Sequence, residues 1–327
     1  LRLTHVSLLL GLAVLPALVA PASVTAQPPP YLGQWGTFGT AHGQFEYPYD
    51  VSVDAAGNVY VSDANNSRIQ KFTGGGVYIT SWGSYGSGNG QFIGPAGAAV
   101  DVAGSVFVAD YTNHRVQVFN SAGTYLRKWG GFGAGPGQFS SADGVALDDA
   151  GNVYVGDQNN DRVQVFTNAG AFVRQLGTSG SGDGQIDSPG GVAVNHSGEV
   201  YVADQNNSRI DVFTSSGAFL RKWGSLGSGN GQFQYPHGVA LDAVGNVYVA
   251  DSYNNRIQVF TSTGTFLTKW GTAGTGPGQF DSPFGVAVDG SGNVFVADTW
   301  NHRIQRFGQL PTPARTTSWG RLKALYR

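Results

Sequence analysis

The strongest constraint on this chain is a repeat of fixed length. Asp63, Asp110, Asp157, Asp204, Asp251 and Asp298 stand 47 residues apart, and so do Arg68, Arg115, Arg162, Arg209, Arg256 and Arg303. Gln44, Gln91, Gln138, Gln185, Gln232 and Gln279 keep the same register. Trp35, Trp82, Trp129, Trp223 and Trp270 keep it too, with Leu176 in the remaining slot. A period of about 40–50 residues without insertions indicates a propeller or solenoid, built from copies of one small unit.

The unit reads as β. Within 236–270, Gly238–Asp242, Val247–Ala250, Arg256–Phe260 and Phe266–Trp270 are short apolar or alternating runs separated by Gly, Asn and Asp. That pattern predicts a four-stranded antiparallel meander. Its first two strands are almost continuously apolar, so both their faces must be covered. A lone sheet leaves them wet, whereas six sheets closed in a ring cover every one. The expected fold is all-β, a six-bladed β-propeller of four-stranded antiparallel blades over 27–310. Composition agrees: 50 of 327 residues are Gly, and Gly costs about 1 kcal/mol at a helical position. The chain has no Cys. Disulfide scaffolds, Cys-ligated zinc, iron–sulfur clusters and thiol catalysis are thereby excluded.

Pro236-His-Gly-Val-Ala-Leu-Asp242, Gly245-Asn-Val-Tyr-Val-Ala-Asp251 and Asn254-Asn-Arg-Ile-Gln-Val-Phe260 resemble the NHL-repeat family. Asn113-His114-Arg115-Val116 and Asn301-His302-Arg303-Ile304 come nearest to the element that names it. The resemblance covers about residues 31–308. It implies a six-bladed propeller, here of a secreted, bacterial type. It implies less about activity, because such propellers serve as RNA readers, protein-interaction platforms, sensor domains and lyases.

Residues 1–26 carry a basic Arg2, an apolar run from Val6 to Ala20, and small residues before Gln27. This is the pattern of a secretory signal peptide. The run is shorter than the roughly 20 residues of a good span, so no stable membrane insertion is expected after cleavage. The expected location is secreted, periplasmic or cell-surface. The net charge is −2, and losing Arg2 makes it more negative. Nucleic acid is therefore not an expected partner. Residues 311–327 read as a linker and a short basic tail. For closure of the ring, Tyr31–Trp35 matches the outer strands of other units and is expected to complete blade six. Thr316–Trp319 is the rival.

The repeated Asp/Arg pairs bracket the loop between the second and third strands. Catalysis needs a group once, whereas a joint is needed in every blade, so the pairs read as structural. The Asn between them (Asn66, Asn113, Asn160, Asn207, Asn254, Asn301) is expected in a left-handed turn conformation. The Gly-rich segments such as Gly83–Gly90 lack the Gly-Lys-Ser/Thr ending of a phosphate loop. They read as connections between blades.

Function is expected where the copies differ. The first-strand slot holds Tyr49, Ala96, Asp143, Gly190, His237 and Phe284. Two positions beyond the repeated Asp stand Asn65, Thr112, Asn159, Asn206, Tyr253 and Trp300. The expected site is Tyr49, His237, Tyr253, Phe284, Trp300 and Asp143. Its aromatic side faces a polar side of Gln158, Asn159, Gln205 and Asn206. Such a mouth suits a peptide, protein or glycan ligand of a monomeric, non-catalytic binding module. The alternative is a metal-dependent hydrolase or lyase, since amidating lyases, virginiamycin lyases and calcium lactonases are also six-bladed. His42, His114, His196, His237 and His302 are too scattered for zinc. Calcium is the one cofactor left open, on Asp143, Asp50, Glu46, Asp187 and Asp281. No other cofactor is expected.

Overall fold

The computed structural model describes residues 26–310. Almost all of the expected leader, the 311–327 tail and the rival closing segment Thr316–Trp319 lie outside the described residues. Six four-stranded antiparallel sheets form the ring. The fifth shows the common plan: Pro236–Leu241, Val247–Asp251, Arg256–Phe260 and Phe266–Trp270, from the channel outward. The inner strands of the other blades are Pro48–Val53, Pro95–Val100, Ala142–Leu147, Pro189–Val194 and Pro283–Val288. Each packs beside the next, and the first lies against the sixth. Blade six is completed by Tyr31–Trp35, which pairs with Arg303–Phe307 with Trp35 opposite Ile304. The N-terminal strand therefore closes the ring.

The core lies in wedges between neighbouring blades. One wedge joins Val59, Val61 and Phe72 of the first blade to Phe295, Ala297 and Ile304 of the sixth. The repeated Trp spans five of the six wedges, and Leu176 takes its place between blades three and four. Trp35 meets Phe72 at 5.8 Å between ring centroids, and Trp223 meets Phe260 at 5.8 Å. These tilted pairs add packing energy beyond the area they bury.

The Asp/Arg pair proves to be part of a larger hub. In blade five, Asp251 Oδ2 accepts from Arg256 Nε at 2.7 Å, Asn254 Nδ2 at 3.0 Å and Gln258 Nε2 at 3.0 Å. Arg256 also donates to the carbonyls of Ser228, Gly229 and Gln232. Gln258 Oε1 accepts from Gly231 N at 3.0 Å. The hub thus pins the Gly-rich connector against its blade and leaves no buried partner unmatched, which such a network requires.

The expectation for the repeated Asn needs correction. The left-handed residue is the next one: Ser67, His114, Asp161, Ser208, Asn255 and His302, all with φ of 53° or 54°. The Asn side chain is committed to the hub and to a connector carbonyl, Gly227 O for Asn254. The chain therefore reverses one residue later. Several of these left-handed residues also clasp the following blade. His114 Nδ1 accepts from Ser141 N at 2.9 Å, and Asn255 Oδ1 accepts from Ser282 N at 2.8 Å.

Blade four departs from the plan. Where the others have Gln70, Gln117, Gln164, Gln258 and Gln305, it has Asp211. Arg209 Nε lies 3.0 Å from Asp204 Oδ2 and 2.9 Å from Asp211 Oδ2. One guanidinium thus serves two fully buried carboxyl groups. Asp211 Oδ1 has no partner.

Candidate functional site

The inner strands bring one residue per blade to the channel at the face carrying the loops between second and third strands. These are Tyr49, Ala96, Asp143, Gly190, His237 and Phe284. Four of them close the channel. The Tyr49 hydroxyl donates to Asp143 Oδ2 at 3.3 Å and lies 2.8 Å from His237 Nε2. His237 stacks on Phe284 with centroids 4.8 Å apart, and Tyr49 meets both rings edge-on. Gly190 leaves room for Gln205, whose Nε2 would lie 2.3 Å from a Cβ there. Burial, reinforced by the Asp143 charge, holds the Tyr49 phenol well above its usual range, so it acts as a donor.

The polar and aromatic sides of the mouth meet instead of standing apart. Gln158 Nε2 donates to Asp143 Oδ2 at 3.1 Å and to Gln205 Oε1 at 3.1 Å. Tyr111 donates in turn to Gln158 Oε1. Asp143 is 0% exposed and His237 4%. A ligand approaching this face therefore meets Tyr49 and Phe284 before either of them.

Outward of this plug the loops form a depression of about 400 Å³, lined by Tyr47, Tyr49, Tyr111, Phe284 and Trp300 among others. None of the lining residues is charged. Trp300 is 55% exposed. A row of rings leads to it from the rim: Phe38 to His302 at 5.0 Å, His302 to Tyr47 at 4.8 Å, Tyr47 to Trp300 at 5.3 Å. His302 is a neutral member of the row. Burial lowers its pKa, and its Nδ1 accepts from Tyr47 N at 3.1 Å. Tyr253 stands apart on blade five, half exposed and stacked on Tyr235 at 4.9 Å.

Tyr47 and Tyr235 went unnoticed in the sequence. Both occupy a positive-φ slot, at 53° and 57°. The other blades place Gly94, Ser141, Ser188 and Ser282 there. A bulky side chain in that backbone conformation is strained, and such strain concentrates at functional sites. The available signal was a column of Gly and Ser interrupted by two Tyr.

One residue deeper, the ring reads Asp50, Gly97, Gly144, Gly191, Gly238 and Gly285. The inner strands touch backbone to backbone here. A Cβ on Gly238 would lie 2.4 Å from Phe284 O and 2.9 Å from Val286 N. Asp50 alone carries a side chain in this layer, and its Oδ2 accepts from Ala98 N at 3.0 Å. Burial pushes its carboxyl up to about 6, against the Ala98 and Val51 amides and His237, with Asp143 adding to the rise. The carboxylates considered for calcium are dispersed. Asp50 and Asp143 lie in successive channel layers, Glu46 pairs with Asn65, and Asp187 with Asn206. Among the described residues no three His, Asp or Glu side chains converge as a metal site.

The family model described as NHL repeat matches six segments: 45–72, 92–119, 139–166, 187–213, 233–260 and 280–307. No curated protein matches the chain in sequence. Solved structures do resemble it in fold. A protein of unknown function from Bacteroides thetaiotaomicron is 20% identical with a TM-score of 0.65, over 84% of this chain and 76% of that one. A streptogramin B lyase is 14% identical with a TM-score of 0.59, over 84% and 96%. A catalytically inactive virginiamycin B lyase from Staphylococcus aureus, with quinupristin, is 14% identical with a TM-score of 0.58, over 88% and 97%.

Proposed function

The chain belongs to the NHL-repeat family, and from that premise we propose that it is an exported, non-catalytic binding module. Its ligand is a peptide or glycan taken up on the face that carries the loop aromatics. The observation that supports this best is the row Phe38, His302, Tyr47 and Trp300 leading into an uncharged depression beside Tyr49 and Phe284. Exposed rings on a rigid scaffold offer contact area at low entropic cost. Tyr47 and Tyr235 strengthen the reading, because a slot that is left-handed in every blade carries Gly or Ser in the other four and a large ring only here.

A metal-dependent lyase or hydrolase is the weaker reading. The lyases share the fold, but at 14% identity that likeness carries no chemistry. In this chain Asp143 Oδ2 and His237 Nε2 are engaged with each other and with Tyr49, and Asp143 Oδ1 is buried without a partner. The test is a screen of peptide and glycan arrays, followed by calorimetry on the best ligand. Trp300→Ala should weaken that ligand at least tenfold, the loss expected for a central aromatic contact of about 1.4 kcal/mol or more. Retention of full affinity in both Trp300→Ala and Tyr253→Ala would sink the proposal.

A further inference from the structure

The central channel behind the plug is not absorbed by that reading. It is a blind tube of about 250 Å³. Tyr49, Asp143 and His237 close one end. The other end runs out between Val53, Val100, Leu147, Leu241 and Val288, at the face carrying the turns between first and second strands. The tube is therefore apolar at its mouth and acidic near its floor.

Asp50 is what makes the floor acidic. It interrupts a layer that is glycine in the other five blades. Asp50 is partly buried and lines the channel. No Lys or Arg lines the tube. His237, the nearest cationic candidate, is engaged by the Tyr49 hydroxyl and Asp143. Asp143 borders the tube but is itself fully buried and bonded to Tyr49 and Gln158. One carboxylate thus faces the cavity without a counter-charge. A carboxylate so placed gains from a cation brought into the channel.

We infer that the channel is a binding site for a primary alkylammonium group, which enters from the turn face and pairs with Asp50. A divalent metal ion fits poorly, because calcium takes six to eight oxygen ligands, several of them charged, and the lining offers two carboxyl groups at most, Asp50 and the fully buried Asp143. The ring of Val and Leu at the mouth suits methylene groups. From Asp50 to Val53 the strand climbs three residues, roughly 10 Å at about 3.3 Å each. That is longer than a lysine side chain, so a short alkyl stem paired with Asp50 lies wholly inside the tube. The cation could come from a free amine or from a lysine, and both present the same group.

The experiment is calorimetry of the full chain with n-pentylamine. Saturable binding is expected, at least tenfold weaker in Asp50→Asn and in Asp50→Gly. The second variant makes the layer uniform with the other blades, so it is the safer one for folding. The neutral analogue n-pentanol should not bind. Competition by Nα-acetyl-lysine methylamide would point to a protein lysine as the source. Its failure to compete, with n-pentylamine still bound, would point to a free amine. Both outcomes support the site. Equal affinity in Asp50→Gly, equal binding of n-pentanol, or displacement of n-pentylamine by calcium would each overturn it.

Discussion

Gly238→Ala is expected to destabilise the protein by about 3–4 kcal/mol, at the upper end of overpacking costs. The new methyl group would sit 2.4 Å from Phe284 O and 2.9 Å from Val286 N, both backbone atoms of the adjoining inner strand. A flexible side chain could swing aside, but a strand held in a closed ring cannot. Gly290→Ala is the matched control. Nothing lies within 4 Å of its added Cβ, so it should be neutral or gain up to about 1 kcal/mol through the unfolded chain. At about 2 °C per kcal/mol in a chain of this size, the first variant should lose roughly 6–8 °C in Tm. Similar melting of the two variants would refute backbone-to-backbone packing at the channel.

Asp211→Gln should act in the opposite direction. In the other five blades the Gln amide donates to the hub Asp and a connector carbonyl, while its oxygen takes a connector N–H, as Gln258 does. Asp211 offers no donor when ionised and leaves Oδ1 unpartnered. Burial, then its hydrogen bond with Asp204 and the Asp204 charge, push the Asp211 carboxyl up to about 8, with Arg209 pulling against them. Asp204 is raised as well, again first by burial. Between the ordinary value of 3.8 and about 8 the folded protein holds a proton that the unfolded chain has released. Stability therefore falls as pH rises through that window. Gln has no such proton. The variant should gain about 2–3 kcal/mol at pH 8, and its advantage should shrink as pH falls toward 4. Urea midpoints at pH 4, 6 and 8 test this. Parallel curves for the two proteins would contradict it.

The fold was legible because every blade makes the same backbone demands. Asp63, Arg68 and their copies recur since each connector needs the same pin, and the Gly-rich connectors recur since each must turn back to the axis. Tyr31–Trp35 was recognisable by its likeness to Leu220–Trp223, and blade six takes it up. The channel was less legible, because it depends on how closely six strands approach a common axis. Periodicity records which residues repeat, but not that Gly238 touches the next backbone or that Tyr49 reaches across to Asp143. The misplaced left-handed residue has a similar cause. Asn254 and Asn255 both tolerate positive φ, and only the hub reveals which one has its side chain committed. Asp211 and Asp50 were visible as departures in their columns, but their meaning required burial.

The closing of blade six by the N-terminal strand also fixes an order of events during synthesis. Tyr31–Trp35 leaves the ribosome before every other blade strand and is the last to find its neighbour, since Arg303–Phe307 follows it only after the five intervening blades. At roughly 5–20 residues per second, that wait lasts about 15–50 seconds. Throughout it an aromatic strand has an open edge, and so does the half-built ring. Whatever escorts the nascent chain must shield both until the ring shuts.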